Sequence, residues 1–182
     1  AHGGITVGED GASHQALEDI SLMRGLPNMT VLVPGDYNQT RQAVRYAAKH
    51  HGPVYIRLSR MNVPEIFDEN YELDINKAVT LKEGKDVSVF VTGDLLAEVT
   101  KANEILQSKG FDAEIINIPV IKPLDTKTIV ESVNKTGLAV TVENHSILGG
   151  LGSAVCETLS ENAPHKVLRI GINDTFGQSG TP

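Results

Sequence analysis

The chain reads as an α/β protein built on a mainly parallel sheet with helices on both faces, and three observations predict it. Short, nearly continuous apolar runs of strand length alternate with longer segments whose apolar residues recur every three or four positions. Runs apolar on both sides belong to strands covered by helices above and below, as in parallel sheets. The alternation fades between about Met61 and Asp86, where Pro64 interrupts it and Glu65, Asp68, Glu69, Glu72 and Asp74 accumulate. The expected organisation is therefore the end of one α/β domain over 1–62, a connector over 63–86, and a complete small α/β domain over 87–182.

Each element follows in order. Ser13 is placed to cap a first helix from His14 to Arg24, with Ala16, Leu17, Ile20 and Met23 on its apolar side and Gly25 as its stop. Met29–Val33 is a short strand closed by Pro34-Gly35. Asp36 and Gln39 form a capping pattern for a second helix, with Thr40, Ala43, Val44, Ala47 and Ala48 as its stripe. His50 and His51 fall in its last turn, where positive charge complements the helix dipole. Strand 54–58 then delivers Ser59 and Arg60 at its C-terminal end, and a strand-like piece covers 77–81. In the second half, strands are expected at 87–91, 113–118, 138–142 and 167–170. The helices between them begin at Leu95, at Asp125 (as a cap) and at Gly149-Gly150-Leu151-Gly152-Ser153. The crossovers should be right-handed.

Composition narrows the function classes. The 182 residues are 40% hydrophobic and 21% charged, with a net charge of −7 and scattered Lys and Arg. That argues against nucleic acid or an anionic membrane as partner, although one arginine can still hold a phosphate locally. No apolar run approaches the ~20 residues of a membrane span, and no secretory leader is visible. The lone Cys156 excludes an internal disulfide and fits a reducing cytoplasm, as a buried structural thiol. A chain that opens on Ala1 and ends on Gly180-Thr181-Pro182 reads as a fragment or processed product.

The chemistry concentrates in His2 and in Gly8-Glu9-Asp10-Gly11-Ala12-Ser13-His14-Gln15. Glycines there allow a tight backbone, and a helix N-terminus after them would gather free N–H donors suited to an anionic or polyhydroxylated ligand. Arg60 emerges from a strand end in the same half, where α/β sheets place ligands. Two imidazoles, a carboxylate and a guanidinium around a glycine loop suit a phosphorylated polyol: His14 and His2 for proton exchange, Asp10 for a hydroxyl, Arg60 for the phosphate. The alternatives from spacing alone are a plain loop and, for Arg60, a surface salt bridge.

These residues, with Leu26-Pro27-Asn28, Leu58-Ser59-Arg60-x-Asn62, Ile121-Lys122-Pro123-Leu124-Asp125, Val142-Glu143-Asn144-His145-Ser146 and Phe176-Gly177-Gln178-Ser179-Gly180-Thr181-Pro182, closely resemble transketolase. The resemblance runs through the whole chain in order and corresponds to that family's C-terminal section: the end of the pyrimidine-binding domain over 1–62 and the C-terminal domain from 87. It implies transfer of a two-carbon ketol unit between sugar phosphates, as in the pentose phosphate pathway, with thiamine diphosphate and a divalent cation (Mg or Ca). It further implies Asp10, His14 and His2 as catalytic residues, and Arg60, Ser59 and His2 at the substrate phosphate. Gly3-Gly4 and Ala12 depart from the family's common Asp-Ser and Pro, which bears on substrate preference. The family's pyrimidine-contacting glutamate and stacking aromatic residue are expected upstream of Ala1, and the diphosphate and metal motif in another domain. The chain alone is thus expected to hold no metal and no cofactor and to be inactive. It would require an N-terminal diphosphate-binding domain or subunit, in a homodimer or α2β2 assembly.

Two other readings stand beside this one. A related thiamine-diphosphate enzyme (deoxyxylulose-phosphate synthase, or the β part of a 2-oxo acid dehydrogenase) would share the architecture. A non-catalytic nucleotide-binding or dimerisation module would use Gly149-Gly150-Leu151-Gly152, but the spacing is not that of a dinucleotide loop. Those glycines are better suited to close helix-on-sheet packing, and His145 to a subunit contact or a buried structural role.

Overall fold

The computed structural model describes residues 1–182 and arranges eight strands in two sheets. In the smaller sheet, β1 (Thr30–Leu32) lies between β2 (Val54–Ile56), parallel to it, and β6 (Val120–Lys122), antiparallel to it. The larger sheet contains β3 (Val79–Lys82), β4 (Val87–Val91), β5 (Ala113–Asn117), β7 (Ala139–Ser146) and β8 (Val167–Ile172), in the order β3-β5-β4-β7-β8. Only β3 in that sheet runs antiparallel to its neighbour. The expected α/β class with a mainly parallel sheet is what forms.

The helices are α1 (Asp19–Arg24), α2 (Tyr37–Lys49), α3 (Leu96–Ser108), α4 (Thr126–Thr136) and α5 (Leu151–Asn162). Local chemistry accounts for their ends. Asp36 accepts the Gln39 N–H at 2.8 Å to start α2. Asp125 accepts the Thr128 N–H at 3.0 Å to start α4, and Gly137, with φ 75°, ends it in the left-handed region that glycine tolerates. On one face of the larger sheet, Leu96 and Val99 of α3 pack on Val89, Val91 and Ile115. On the other, Ile129 and Val133 of α4 and Leu151, Val155 and Leu159 of α5 pack on Phe90 and Ile116.

Three expectations need correction. The first helix does not begin at His14 under a Ser13 cap; α1 starts at Asp19, and the Ser13 hydroxyl bonds the His14 ring instead. The apolar stripe of α2 is rotated, since Val44 and Ala48 are exposed while Asn38 and Gln39 are buried. Their amides reach the Phe67 carbonyl (2.9 Å) and the Asn117 side chain (2.7 Å), contacts invisible to a periodicity count. Strand β6, between Pro119 and Pro123, was not expected. It leaves the second half to pair with β1 of the first, so Ile20, Val31 and Val33 share one core with Phe90, Ile116, Ile129 and Leu151.

The acidic stretch after Arg60 is tied down. Asp36 accepts the backbone N–H groups of Ile66 (2.9 Å) and Phe67 (2.8 Å), and Gln42 donates to the Tyr71 carbonyl at 2.5 Å.

A buried polar seam joins the halves. His145, fully buried, donates from Nδ1 to the Ser146 carbonyl at 2.7 Å, and its Nε2 lies 3.4 Å from the Ser21 N–H and 4.0 Å from Asp19. It is thus a buried structural histidine. Beside it, Glu143 accepts the Leu151 and Gly152 N–H groups of α5 at 2.6 and 2.7 Å. A Cβ at Gly152 would come within 2.8 Å of Arg169 and 2.9 Å of Thr141, so α5 sits close on the sheet because glycine is there. Burial outweighs those donors and raises the Glu143 carboxyl to about 7.

The folded pKa of Glu143 is the higher one, against ~4.3 unfolded, so the native state keeps its proton longer. The stability this gives is complete below about pH 4.3 and is lost as pH rises through about 7, an effect of roughly 3–4 kcal/mol. His145 works oppositely: burial lowers its pKa, so its contribution is present above ~6.5 and is lost at lower pH. Urea midpoints across pH 4–8 for the chain and for Glu143→Gln should therefore differ in slope. The substitution removes the decline with rising pH, and parallel curves would contradict this account.

Candidate functional site

The opening segment and the end of β2 meet at one edge of the molecule. Residues Ile5–Asp10 form 3₁₀ turns interrupted at Gly8 (φ 83°), and Gly11 follows at φ 72°. A Cβ at Gly11 would overlap the Ser179 hydroxyl, and one at Gly8 would lie 3.1 Å from the Pro182 ring. Residues 177–182 therefore fold back onto this loop. Gln15, almost fully buried, clamps both pieces by donating to the Gly8 carbonyl (3.1 Å) and the Gln178 carbonyl (2.9 Å).

On the other side, Ala1 and His2 run beside the end of β2. The Leu58 N–H donates to the Ala1 carbonyl at 2.8 Å, and His2 bridges in parallel to Leu58. The chain then presents Ser59 and Arg60. The Arg60 guanidinium donates directly to the Asp10 carboxylate across fifty residues of sequence. The surface salt bridge considered for Arg60 thus exists, and its partner is the other anchor of the expected site. Both side chains stay accessible, at 54% and 38% exposure, on a cavity of about 220 Å³ also lined by Thr6, Val7, Met61 and Pro182. An exposed pair of this kind is worth only ~0–1 kcal/mol, so an incoming anion can displace Asp10 at little cost.

The expected site residues are not all gathered equally. Asp10 and Arg60 touch. Ser59 adjoins them, but its hydroxyl proton is committed: it donates to Asp94 at 3.0 Å and accepts the Met61 N–H at 3.1 Å. His2 is exposed at the strand edge. His14 is exposed, with Nδ1 2.9 Å from the Ser13 hydroxyl and no hydrogen bond to the Asp10–Arg60 pair. The helix N-terminus expected behind the glycine loop is absent, and the His14 and Gln15 N–H groups both turn back to the Gly11 carbonyl.

Two residues of this region escaped the sequence. Asp94, 7% exposed, accepts from the hydroxyls of Thr6 (2.6 Å) and Ser59 and from the Asn144 amide (2.9 Å). Asn144, 2% exposed, also accepts the Ile5 N–H at 2.8 Å and donates to Thr6 at 2.8 Å. The available signal was their position at the C-terminal ends of two parallel strands, where α/β sheets collect functional groups. No group of three or more His, Cys, Asp or Glu side chains converges to hold a metal ion. No helix is long and apolar enough to cross a membrane.

Fold and site together define a class: interlocked α/β units whose polar rim lies at the C-terminal ends of parallel strands. Comparison with known families makes this specific. The family description "Transketolase, pyrimidine binding domain" matches residues 1–65, and "Transketolase, C-terminal domain" matches residues 76–182. The chain is 47% identical over 182 residues to a Methanocaldococcus jannaschii protein provisionally named transketolase C-terminal section, covering 98% of this chain and 57% of that one. It is 45% identical over 177 residues to a 6-deoxy-6-sulfo-D-fructose transketolase subunit of Clostridium sp. strain MSTE9, covering 97% and 55%. A solved split-gene transketolase, described as an inactive beta4 tetramer, superposes with a TM-score of 0.89 at 45% identity, covering 96% of this chain and 56% of that one. The chain belongs to the transketolase family, and it spans about half the length of the curated relatives it matches.

Proposed function

We propose that this chain is the C-terminal portion of a transketolase and contributes the sugar-phosphate rim to transfer of a two-carbon ketol unit between a ketose phosphate and an aldose phosphate. The observation that carries this is the direct contact of Arg60 with Asp10 on an open cavity where three remote segments meet. In the working site the Arg60 guanidinium grips the substrate phosphate with two parallel N–H bonds. Asp10, released from Arg60, accepts from a sugar hydroxyl. His2 and Ser59 flank the phosphate, and the exposed His14 imidazole orients or exchanges a proton with the donor.

Carbanion stabilisation is the chemistry that thiamine diphosphate would supply when bound. The match to the pyrimidine-binding domain supports that cofactor for the full enzyme. The Arg60 fork suits the phosphate of a sugar phosphate, which leaves the cofactor's diphosphate and its cation (Mg or Ca) to other groups of the enzyme. Those groups are assigned to an N-terminal diphosphate-binding domain or subunit, in a homodimer or α2β2 assembly placed in the cytoplasm.

Reconstitution tests the reading. The chain combined with a diphosphate-binding partner, thiamine diphosphate and Mg or Ca should transfer a ketol unit from xylulose phosphate to ribose phosphate, and the chain alone should not. Pyruvate decarboxylation without ketol transfer would overturn the assignment in favour of the 2-oxo acid branch.

A further inference from the structure

We infer that Asp94 is a positioning residue for substrate binding, a carboxylate brought from the second half of the chain to hold the rim in register. This rests on the reading above that Arg60 faces the phosphate of a sugar phosphate and Asp10 one of its hydroxyls.

Asp94 sits in the 3₁₀ turn Gly93–Leu95 between β4 and α3. A single oxygen, Oδ2, accepts from Thr6 Oγ1 (2.6 Å), Asn144 Nδ2 (2.9 Å) and Ser59 Oγ (3.0 Å). Those donors belong to the opening turn, the end of β7 and the end of β2 respectively. The carboxylate is 7% exposed, so these are charge-assisted bonds in a largely desolvated place, about twice as strong as neutral ones. Asn144 reinforces the same node by accepting the Ile5 N–H at 2.8 Å. Gly4 packs so closely on the Asn144 side chain that a Cβ there would overlap it.

Two consequences follow for the rim. Thr6 precedes Asp10 by one 3₁₀ segment, and Ser59 precedes Arg60 directly. Asp94 therefore fixes the two backbones whose next functional side chains meet. Because Ser59 gives its proton to Asp94, Ser59 acts in this state by setting the course of Arg60 rather than by donating to a phosphate. The cavity of about 350 Å³ beside the Asp10–Arg60 cavity is lined by both Ser59 and Asp94.

The test uses the reconstituted complex and compares Asp94→Ala, Asp94→Asn and Arg60→Ala, with the ketose phosphate and the same ketose without its phosphate as donors. Loss of three charge-assisted bonds from the node should raise KM for the phosphorylated donor about ten-fold in Asp94→Ala, with kcat within about two-fold and a smaller rise in KM for the unphosphorylated donor, which keeps only the Asp10 contact. Asp94→Asn keeps an acceptor oxygen and should recover part of the loss. A purely structural role would lower kcat for both donors alike and would overturn the inference. If Arg60→Ala raises KM and Asp94→Ala does not, the positioning role falls and the functional reading stands. If neither does, both fall. Should Asp94→Ala not assemble, Thr6→Val removes one donor at constant shape and must raise KM in the same direction. On the 182-residue chain by itself, Asp94→Asn should speed amide hydrogen exchange at residues 5–11, and unchanged exchange there would count against the node.

Discussion

Arg60→Ala raises the KM of the reconstituted complex for a phosphorylated ketose by roughly 30- to 100-fold while changing kcat much less. The magnitude comes from comparing two interactions of the same guanidinium. Its pair with Asp10 is solvent-exposed on both sides and is worth ~0–1 kcal/mol, so losing it barely moves stability. Its bidentate contact with a phosphate would be charge-assisted and shaped to the fork, and its loss, net of rehydration, is set at ~2–3 kcal/mol, the upper part of the range for a hydrogen bond to a charged group. The substrate contact therefore dominates. Arg60→Lys keeps the charge but loses the fork, and should fall between the two. Steady-state kinetics with phosphorylated and unphosphorylated donors measures this. A KM within two-fold of the unaltered protein would remove Arg60 from the site, and with it the central contact of the proposed function.

Three residues away, Arg57→Ala has its largest effect on folding. Arg57 is 4% exposed; its Nη2 donates to the Asn144 carbonyl at 2.8 Å and its Nε lies 3.6 Å from Asp19. Asp19, 8% exposed, then keeps only the Tyr55 hydroxyl, at 2.7 Å, as a donor. The same proximity, together with burial, pushes the Tyr55 hydroxyl well above its ordinary pKa. Breaking a buried pair by removing one member costs ~3–5 kcal/mol, because the remaining charge stays desolvated and uncompensated. Against a typical total of ~5–15 kcal/mol, that is a large share of the native stability. Urea denaturation should show it as a fall in midpoint with little change in slope. The double variant Asp19→Ala/Arg57→Ala should lose less than the two single losses added, since the orphaned charge goes too. A single-variant loss below about 1 kcal/mol would show that the seam tolerates the lone carboxylate.

Arg57 and Arg60 illustrate why one strand end serves two purposes. Alternation along the chain turns Arg57 towards the Asn144 carbonyl in the seam, while Arg60, past the end of β2, stands in solvent. Neither role could be told from the sequence, where both were arginines of one apolar strand and its exit. The elements legible beforehand were those with short-range causes: α2 with its Asp36 cap, α4 between Asp125 and Gly137, and the apolar runs of β4, β5 and β7. The start of α1 was misplaced because Ser13 offered a cap that its hydroxyl does not make. Strand β6 was missed because three residues between prolines carry no period, and its partner lies some ninety residues earlier.

What the sequence determined by itself was the alternation of strand and helix, the helix caps, the family, and which polar residues the rim has to draw on. These depend on residues a few positions apart, where periodicity and capping act within a turn. The tertiary structure alone decided that Asp10 meets Arg60, that Asp94 binds Thr6 and Ser59 together, and that His14 stands outside the Asp10–Arg60 contact. Such contacts join segments 35 to 88 residues apart, and they arise only once burial of a shared core has offset the entropy of closing those loops.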